Sequence, residues 1–347
     1  MKKPVYVAGF GTVTAAGLSA PQTIAAIRAS LSAFEDVGFP EAGLSQIVAR
    51  IPTHWRLRRN QGEWLVNMAA RAIKEALGVD DPNVAAATAL LITPPESFRN
   101  HPAFADVPAR NFLAAVIDAT GLRFHPASRA IDGGAAASIG LIERALALME
   151  DAGIPQVLLG GVDSLVNDID LSRLGQAGRL KGDENSQGLV PGEAAAFVRL
   201  VREPPRDTTV VAAIHGIGIA QETDSALSDR YSQGRAMLGA LRDMVSGSGA
   251  SEPDIHFVVS NGNGERYSGW EMMIAHSRFY RTRREILPIA YPAMTIGDVG
   301  AAGGALALML AADSFVKDYA PGPTAVCEIA SENGLRAAAM VRRRTRR

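Results

Sequence analysis

Cysteine is almost absent from this sequence, since Cys327 is the single one among 347 residues. One cysteine excludes a disulfide within the chain and any metal cluster built on several cysteines. It lies in an alternating segment, residues 324–329, which predicts a strand with the thiol on its apolar face. We therefore expect a buried core cysteine and a reducing compartment, which indicates the cytoplasm.

An excess of charge of one sign and long apolar runs are also missing. The chain has 35 lysines and arginines against 36 aspartates and glutamates, a formal net charge of −1. This balance gives no electrostatic reason to bind nucleic acid or a membrane surface, and no apolar run could span a bilayer without glycine or charge. The one strong charge run, residues 342–347, is interpreted as a solvated basic tail, with contact to an acidic partner protein as the alternative.

Aliphatic residues are plentiful. A hydrophobic content of 47% with only 6% aromatic residues is typical of a soluble globular protein with an aliphatic and alanine core. Strand, glycine turn and helix follow one another from residue 5, and the same order begins again at residue 208. This repetition predicts an internal duplication, with one half over 1–203, a proline-rich linker at 204–207 and a second half over 208–347.

The most informative stretch is a small-residue turn, residues 127–138, that leads directly into a helix with apolar residues at helical spacing. Side chains at such an elbow sit near free backbone N–H groups and the positive end of the helix dipole. A nucleophile or an oxyanion site is expected in such a place. The residue at the tip of the predicted elbow is Asp132.

Four segments together carry a resemblance: residues 7–14, the elbow with 138–140, residues 188–195 and residues 294–304. In this order they resemble the β-ketoacyl-(acyl carrier protein) synthases of the thiolase-like superfamily. The resemblance implies a duplicated, five-layer α/β/α/β/α fold of the α/β class, usually dimeric. It also implies a protein that handles acyl chains on a carrier protein or coenzyme A.

The residues that perform catalysis in that family do not carry over. The family has a nucleophilic cysteine at the elbow, where counting along this sequence gives Asp132 or Gly133. The first catalytic histidine corresponds to Asn261, and the second to Gly297 or Asp298. We predict that Asp132 is a helix N-cap and that Asn261 belongs to a turn, so the Cys-His-His set is lost. No cofactor and no metal site are predicted, because dinucleotide and zinc spacings are absent.

The sequence thus predicts a degenerate ketosynthase-like protein of fatty acid or polyketide-type biosynthesis. The first hypothesis is a non-catalytic partner of an active ketosynthase, similar to a chain length factor, with acyl carrier protein as a further contact. The alternatives are an acyl-thioester decarboxylase, hydrolase or acyltransferase that uses Asp132 or Asn261, and a stand-alone acyl-binding homodimer. A dimer is expected to form through residues 124–131, where small side chains permit close strand pairing across a two-fold axis.

Overall fold

A computed structural model describes residues 4–39, 44–55, 60–78, 81–183, 185–204, 210–228 and 230–345. Its strands are β1 Val5–Thr14, β2 Glu35–Phe39, β3 Leu44–Val48, β4 Thr88–Thr93, β5 Arg129–Ala130, β6 Gln156–Ser164, β7 Glu193–Val201, β8 Val210–Gln221, β9 Phe257–Ser260, β10 Ile289–Ala290, β11 Thr324–Ala330 and β12 Leu335–Thr345. Its α-helices are α1 Ala20–Arg28, α2 Gln61–Leu77, α3 Pro82–Ala86, α4 Phe112–Thr120, α5 Gly134–Asp151, α6 Asp168–Gln176, α7 Arg235–Ser248, α8 Arg266–Phe279, α9 Ala293–Ile296 and α10 Gly303–Val316.

The main sheet has ten strands in the order β10-β9-β11-β12-β8-β1-β7-β6-β4-β5. The two halves of the sheet have the same strand arrangement. In the first half, β4 and β6 are parallel and β6 and β7 are antiparallel; in the second half, β9 and β11 are parallel and β11 and β12 are antiparallel. The halves join where Val5 to Val7 of β1 pair with Ala212 to Ile214 of β8. The internal duplication predicted from the sequence is therefore confirmed by the strand order.

Two helices form the middle layer of the molecule. Both α5 and α10 contact strands of each half-sheet and each other, and their apolar residues share one core with the strands. Helices α2 and α4 cover the outer face of the first half, and α7 and α8 cover that of the second. The result is the five-layer α/β/α/β/α arrangement that the resemblance implied.

Close contact between the two central helices depends on small residues. Every residue of α10 from Gly303 to Phe315 is buried, as expected for a helix that is apolar on nearly every side. A Cβ at Gly304 would lie 2.5 Å from the carbonyl oxygen of Ala135 and 2.6 Å from the hydroxyl of Ser138. Glycine is thus required where the start of α10 meets the start of α5, and this contact fixes the position of the elbow.

The basic end of the chain is not a solvated tail, so that interpretation is wrong for the described residues. Arg342, Arg343 and Arg344 belong to β12 and pair with Ala213, Ala212 and Val211 of β8. Residues 337–341 are apolar and buried, which fits the position of β12 in the interior of the sheet. The antiparallel pairing of β12 with β8 then continues through the three arginines. Residues 346 and 347 lie outside the described residues.

Three further expectations concern single segments. Cys327 is fully buried in β11, as predicted. Most of the predicted linker, 205–207, lies outside the described residues, so the division into halves at 204–207 stays a prediction. Within the described part of the chain, no helix combines the length and the apolar character that crossing a membrane requires.

Candidate functional site

A cavity of about 430 Å³ lies at the start of α5. Gly134 and Ala135 of α5 line it together with the loops that follow β4, β9 and β11 and the segment that precedes α10. The volume is within the range of small-molecule sites. The fold therefore brings the elbow, the Asn261 loop and the segment around Asp298 to one place, although they are far apart in the sequence.

The elbow itself differs from its predicted geometry. Helix α5 begins at Gly134, and its N-cap is Gly133, whose φ of 147° is accessible to glycine alone. Asp132 precedes the cap, is 42% exposed, and forms an ion pair with Arg99 (Nε to Oδ2, 2.5 Å). It does not line the cavity, and its predicted role as N-cap is wrong.

A side chain from the second half of the fold performs the capping instead. The Ser331 hydroxyl accepts a hydrogen bond from the Ala136 N–H (2.8 Å) and donates one to the Gly133 carbonyl (2.9 Å). Ser331 lies in the turn between β11 and β12 and is buried. The start of α5 is therefore fixed by a residue that is 195 positions later in the sequence.

Because Ser331 and not Asp132 caps α5, we expect replacements of these two residues to lower the free energy of unfolding by different amounts. Replacing Asp132 with alanine should lower the free energy of unfolding by less than about 1 kcal/mol, because an exposed ion pair contributes little. Replacing Ser331 with alanine should cost about 1–2 kcal/mol, since it leaves a helix N-terminal donor without its cap. Urea denaturation of both variants checks the order, and a larger loss for Asp132→Ala would restore Asp132 as the cap.

The other predicted site residues are held by backbone groups. The Asn261 amide is bonded to Ala330 in both directions, donating to its carbonyl (2.8 Å) and accepting from its N–H (2.9 Å). Gly297 has a φ of 72° and packs against the Val190 carbonyl, 2.8 Å from where a Cβ would be. The Asn261 amide thus links its own loop to Ala330. Because Gly297 has no side chain, its backbone can lie close to the Val190 carbonyl.

Asp298 faces the cavity. Its carboxylate accepts hydrogen bonds from the Asn263 side chain (2.7 Å) and from the Gly300 N–H (3.0 Å). Burial raises its pKa above the ordinary value, against the effect of these two donors. Of the five predicted positions, the structure brings Asn261 and Asp298 to the cavity wall, while Asp132 and Gly133 lie beside the cavity and Gly297 lines a smaller pocket next to it.

Sequence analysis missed most of the charged wall of the cavity. Seven carboxyl groups and three guanidinium groups line it: Glu96, Asp163, Asp170, Glu265, Glu271, Asp298, Glu332, Arg173, Arg179 and Arg336. Arg336 and Glu271 form a buried pair (Nε to Oε2, 2.9 Å) in which the side chains are 1% and 4% exposed. The signal that could have indicated this wall is a charged residue directly after a run of apolar residues and glycines, such as Asp163 near the end of β6.

Glu96 occupies the space directly in front of α5. A Cβ at Gly134 would overlap the Glu96 carboxylate, so this carboxylate fills the volume that a side chain at position 134 would need. Its Oε2 accepts a hydrogen bond from the Asn333 N–H (3.0 Å), and its Oε1 is buried without a hydrogen-bond partner among the described residues. Burial and the charge of Glu332 raise the pKa of Glu96 to about 7.

The cavity offers no thiol. Neither cysteine nor histidine is among the described residues that line it. Cys327 is enclosed in β11, where burial raises the pKa of its thiol well above the ordinary value. The described wall therefore holds neither a thiolate that could carry an acyl group nor an imidazole that could move a proton.

Comparison with known proteins identifies solved structures of the same fold but no relative by sequence. No family model matches the chain, and no curated protein matches it. Among solved structures, the ishigamide ketosynthase/chain length factor matches with a TM-score of 0.78 at 15% identity, over 99% of each chain. AntDE:AntF, a type II polyketide acyl-carrier protein in complex with its ketosynthase, matches with a TM-score of 0.77 at 14% identity, over 99% of this chain and 100% of that one.

A third match is the ketosynthase ApeO in complex with its chain length factor ApeC from Xenorhabdus doucetiae. Its TM-score is 0.73 at 14% identity, over 98% of each chain. Identities this low establish the fold rather than a shared activity. Together with the duplicated sheet, these matches show that the chain has the thiolase-like fold of the ketosynthases, as its sequence motifs predicted.

Proposed function

We propose that this protein is a non-catalytic ketosynthase-like subunit that pairs with an active ketosynthase. The observation that carries the proposal is the start of α5, which presents Gly134 and Ala135 to the cavity. In the ketosynthases that the sequence resembles, a cysteine at the elbow holds the acyl group as a thioester. Neither a glycine nor an alanine side chain can form that bond.

The surroundings of the helix start support the same conclusion. Condensation requires N–H donors that stabilise a developing negative charge on an enolate oxygen. Here the Glu96 carboxylate occupies the space in front of α5, and Asn261 and Asp298 line the cavity. By the sequence resemblance, Asn261 corresponds to the family's first histidine, and Gly297 or Asp298 corresponds to the second. A carboxylate at this point would oppose an oxyanion, so it disfavours ketosynthase chemistry in this chain.

The enzyme hypothesis based on Asp132 or Asn261 has less support. Asp132 is exposed, paired with Arg99 and outside the cavity, and both polar atoms of the Asn261 amide are bonded to Ala330. A cavity wall rich in carboxylates also disfavours a stand-alone homodimer that stores an acyl chain in this cavity. Of the three hypotheses, the role of a partner subunit has the most support. Two of the structural matches are complexes of a ketosynthase with a chain length factor.

Intact mass spectrometry tests this proposal. We expect no change in mass when the native protein is incubated with octanoyl coenzyme A or octanoyl acyl carrier protein, because no thiol reaches the cavity. An active ketosynthase treated in parallel should gain the acyl mass. Cys327 should be alkylated by iodoacetamide only after denaturation, which checks that the thiol is present and enclosed. A stoichiometric acyl adduct on the native chain would contradict the proposal.

A further inference from the structure

Helix α8 buries a carboxylate and exposes two of its large apolar side chains. Glu271 is 3% exposed and is paired with Arg336. Trp270 and Met273, by contrast, are 43% and 55% exposed. They do not stand alone, because Tyr231 of the loop between β8 and α7 is 49% exposed and contacts Trp270 edge-on, with ring centroids 6.1 Å apart. A single exposed apolar residue is ordinary, but a group of this kind marks an interaction surface.

Two arginines flank this apolar group. The Arg266 guanidinium lies 5.9 Å from the ring centroid of Tyr231, and the Arg278 guanidinium donates to the Gln233 carbonyl (2.9 Å) in the same loop. Arg266 and Trp270 are four residues apart, so both lie on one side of α8. Arg278 follows twelve residues after Arg266, about 18 Å along the helix axis at 1.5 Å per residue. We call Tyr231, Trp270, Met273, Arg266 and Arg278 together the α8 surface.

The exposed charges around the α8 surface have one sign. Residues 230–235 and 266–283 contain a single carboxylate, that of the buried Glu271. The same two segments contain six arginines, all exposed: Arg230, Arg235, Arg266, Arg278, Arg281 and Arg283. None of the six forms an ion pair with a described carboxylate. A chain with a net charge of −1 therefore carries a strongly positive region at α8.

We propose that the α8 surface binds an acidic amphipathic helix of a partner protein. An apolar side chain of that helix would pack on Trp270 and Met273, and carboxylates on either side of it would accept hydrogen bonds from Arg266 and Arg278. Tryptophan, tyrosine and arginine are the residue types that contribute most to binding at protein interfaces. A basic partner would meet six arginines without counter-charges, so the surface selects its partner by charge.

A partner protein is favoured over the two other common polyanions. An anionic membrane would also attract the arginines, but the exposed apolar side chains are few, and the other large apolar residues of α8 pack against the protein. Single-stranded nucleic acid binds by stacking bases on open aromatic faces. In the edge-on contact of Tyr231 with Trp270, one ring covers part of the other, which reduces the area for stacking.

The position of α8 in the fold leaves the surface accessible in a dimer. Ala275 and Phe279 of α8 share an apolar cluster with residues of β11 and β12. These strands belong to the half of the sheet that does not contain β5. A ketosynthase paired through β5 would thus leave the α8 surface open for a third protein. The inference goes beyond the proposed pairing and does not depend on it.

Fluorescence anisotropy with the full chain tests the inference. The probe is a labelled peptide of about 15 residues, long enough to form a helix, with leucines on one side and glutamates on the other. We expect it to bind at micromolar concentration and salt to weaken the binding, while a matched peptide with lysine for glutamate should not bind. Absent binding of the acidic peptide, or equal binding of the lysine peptide, would overturn the inference. Tighter binding of a thymidine oligonucleotide or of phosphatidylserine vesicles would also overturn it.

Replacement of one aromatic residue locates the binding site. Trp270→Ala should weaken binding of the acidic peptide by about tenfold or more, the effect of truncating a central aromatic residue of an interface. Trp55→Ala is the matched control: Trp55 is similarly exposed and lies beneath the Arg71 guanidinium, but it belongs to the first half of the fold. It should leave binding unchanged. Melting curves verify that both variants are folded, and equal affinities of a folded Trp270→Ala and the wild type would exclude the α8 surface.

Charge reversal provides a check that loss of folding cannot imitate. The double variant Arg266→Glu with Arg278→Glu should bind the acidic peptide at least about tenfold more weakly and should gain affinity for the lysine peptide. Arg144→Glu reverses one charge at an exposed position of α5 and should change neither affinity. A double variant that still prefers the acidic peptide would contradict the role given to the two arginines.

Discussion

Replacing Arg336 with methionine should lower the free energy of unfolding by about 3–5 kcal/mol, because it leaves the carboxylate of Glu271 buried without a counter-charge. The guanidinium contacts both Glu271 oxygens, at 3.0 and 2.9 Å, and donates to the Ser331 carbonyl (2.8 Å). Ser331 caps α5, so the same arginine also holds the turn that fixes the elbow. Urea denaturation with matched slopes gives the change in stability.

Two control variants separate the buried charge from other effects of the substitution. Arg343→Met breaks an exposed pair with Asp318 and should cost less than about 1 kcal/mol. The double variant Arg336→Met with Glu271→Gln should recover most of the loss, because no unpaired charge remains. A loss for Arg336→Met no larger than that for Arg343→Met would mean that the ion pair does not stabilise the cavity wall.

Association through one edge of the sheet is the second large effect that we expect. Strand β5 ends the sheet order and, among the described strands, pairs with β4 alone; the Ile131 N–H bonds to the Ile92 carbonyl of β4. Because backbone groups alternate along a strand, the N–H and C=O of Ala130 point away from β4, toward the free edge. An unprotected edge of this kind favours pairing with another chain, and we predict a dimer that buries more than about 2,000 Å².

Proline substitutions at the two sheet edges test that prediction. Ala130→Pro removes the outward N–H while it leaves the hydrogen bonds to β4 in place, and it should convert the dimer to a monomer. On the opposite edge, the Pro288 carbonyl accepts from Val258 of β9, so the N–H of Ile289 points outward. Ile289→Pro is the matched control and should leave the dimer intact. Equal dissociation in both variants would mean that β5 is not the interface.

The fold could be predicted from the sequence because its signals are local. Apolar strands and glycine turns follow one another in the same order in both halves, and the repeated strand order of the sheet agrees with them. The nearly all-apolar sequence of α10 likewise indicated a buried helix. Helix α8 was not predicted, because its apolar residues do not form one continuous buried face: the Trp270 and Met273 side chains are exposed. The basic end was misinterpreted because its charge outweighed the apolar residues that begin β12.

The candidate site could be predicted only in part, since its contacts are distant in the sequence. The Asn261 and Asp298 segments were recognised from their glycine-rich surroundings, and both reach the cavity. The cap of α5 comes from Ser331, and the carboxylate in front of α5 comes from Glu96, in the loop after β4. Nothing near the elbow in the sequence indicates either residue. Asp132 fits an N-cap by local rules, but the φ of Gly133 excludes it.

Native mass spectrometry of this chain, expressed together with an active ketosynthase, tests the central claim most directly. We predict a one-to-one heterodimer in which only the ketosynthase gains mass after incubation with an acyl thioester. When this chain is expressed alone, it should form a homodimer. A monomer that does not associate with the ketosynthase, or an acyl adduct on this chain, would contradict the assignment as a non-catalytic partner subunit.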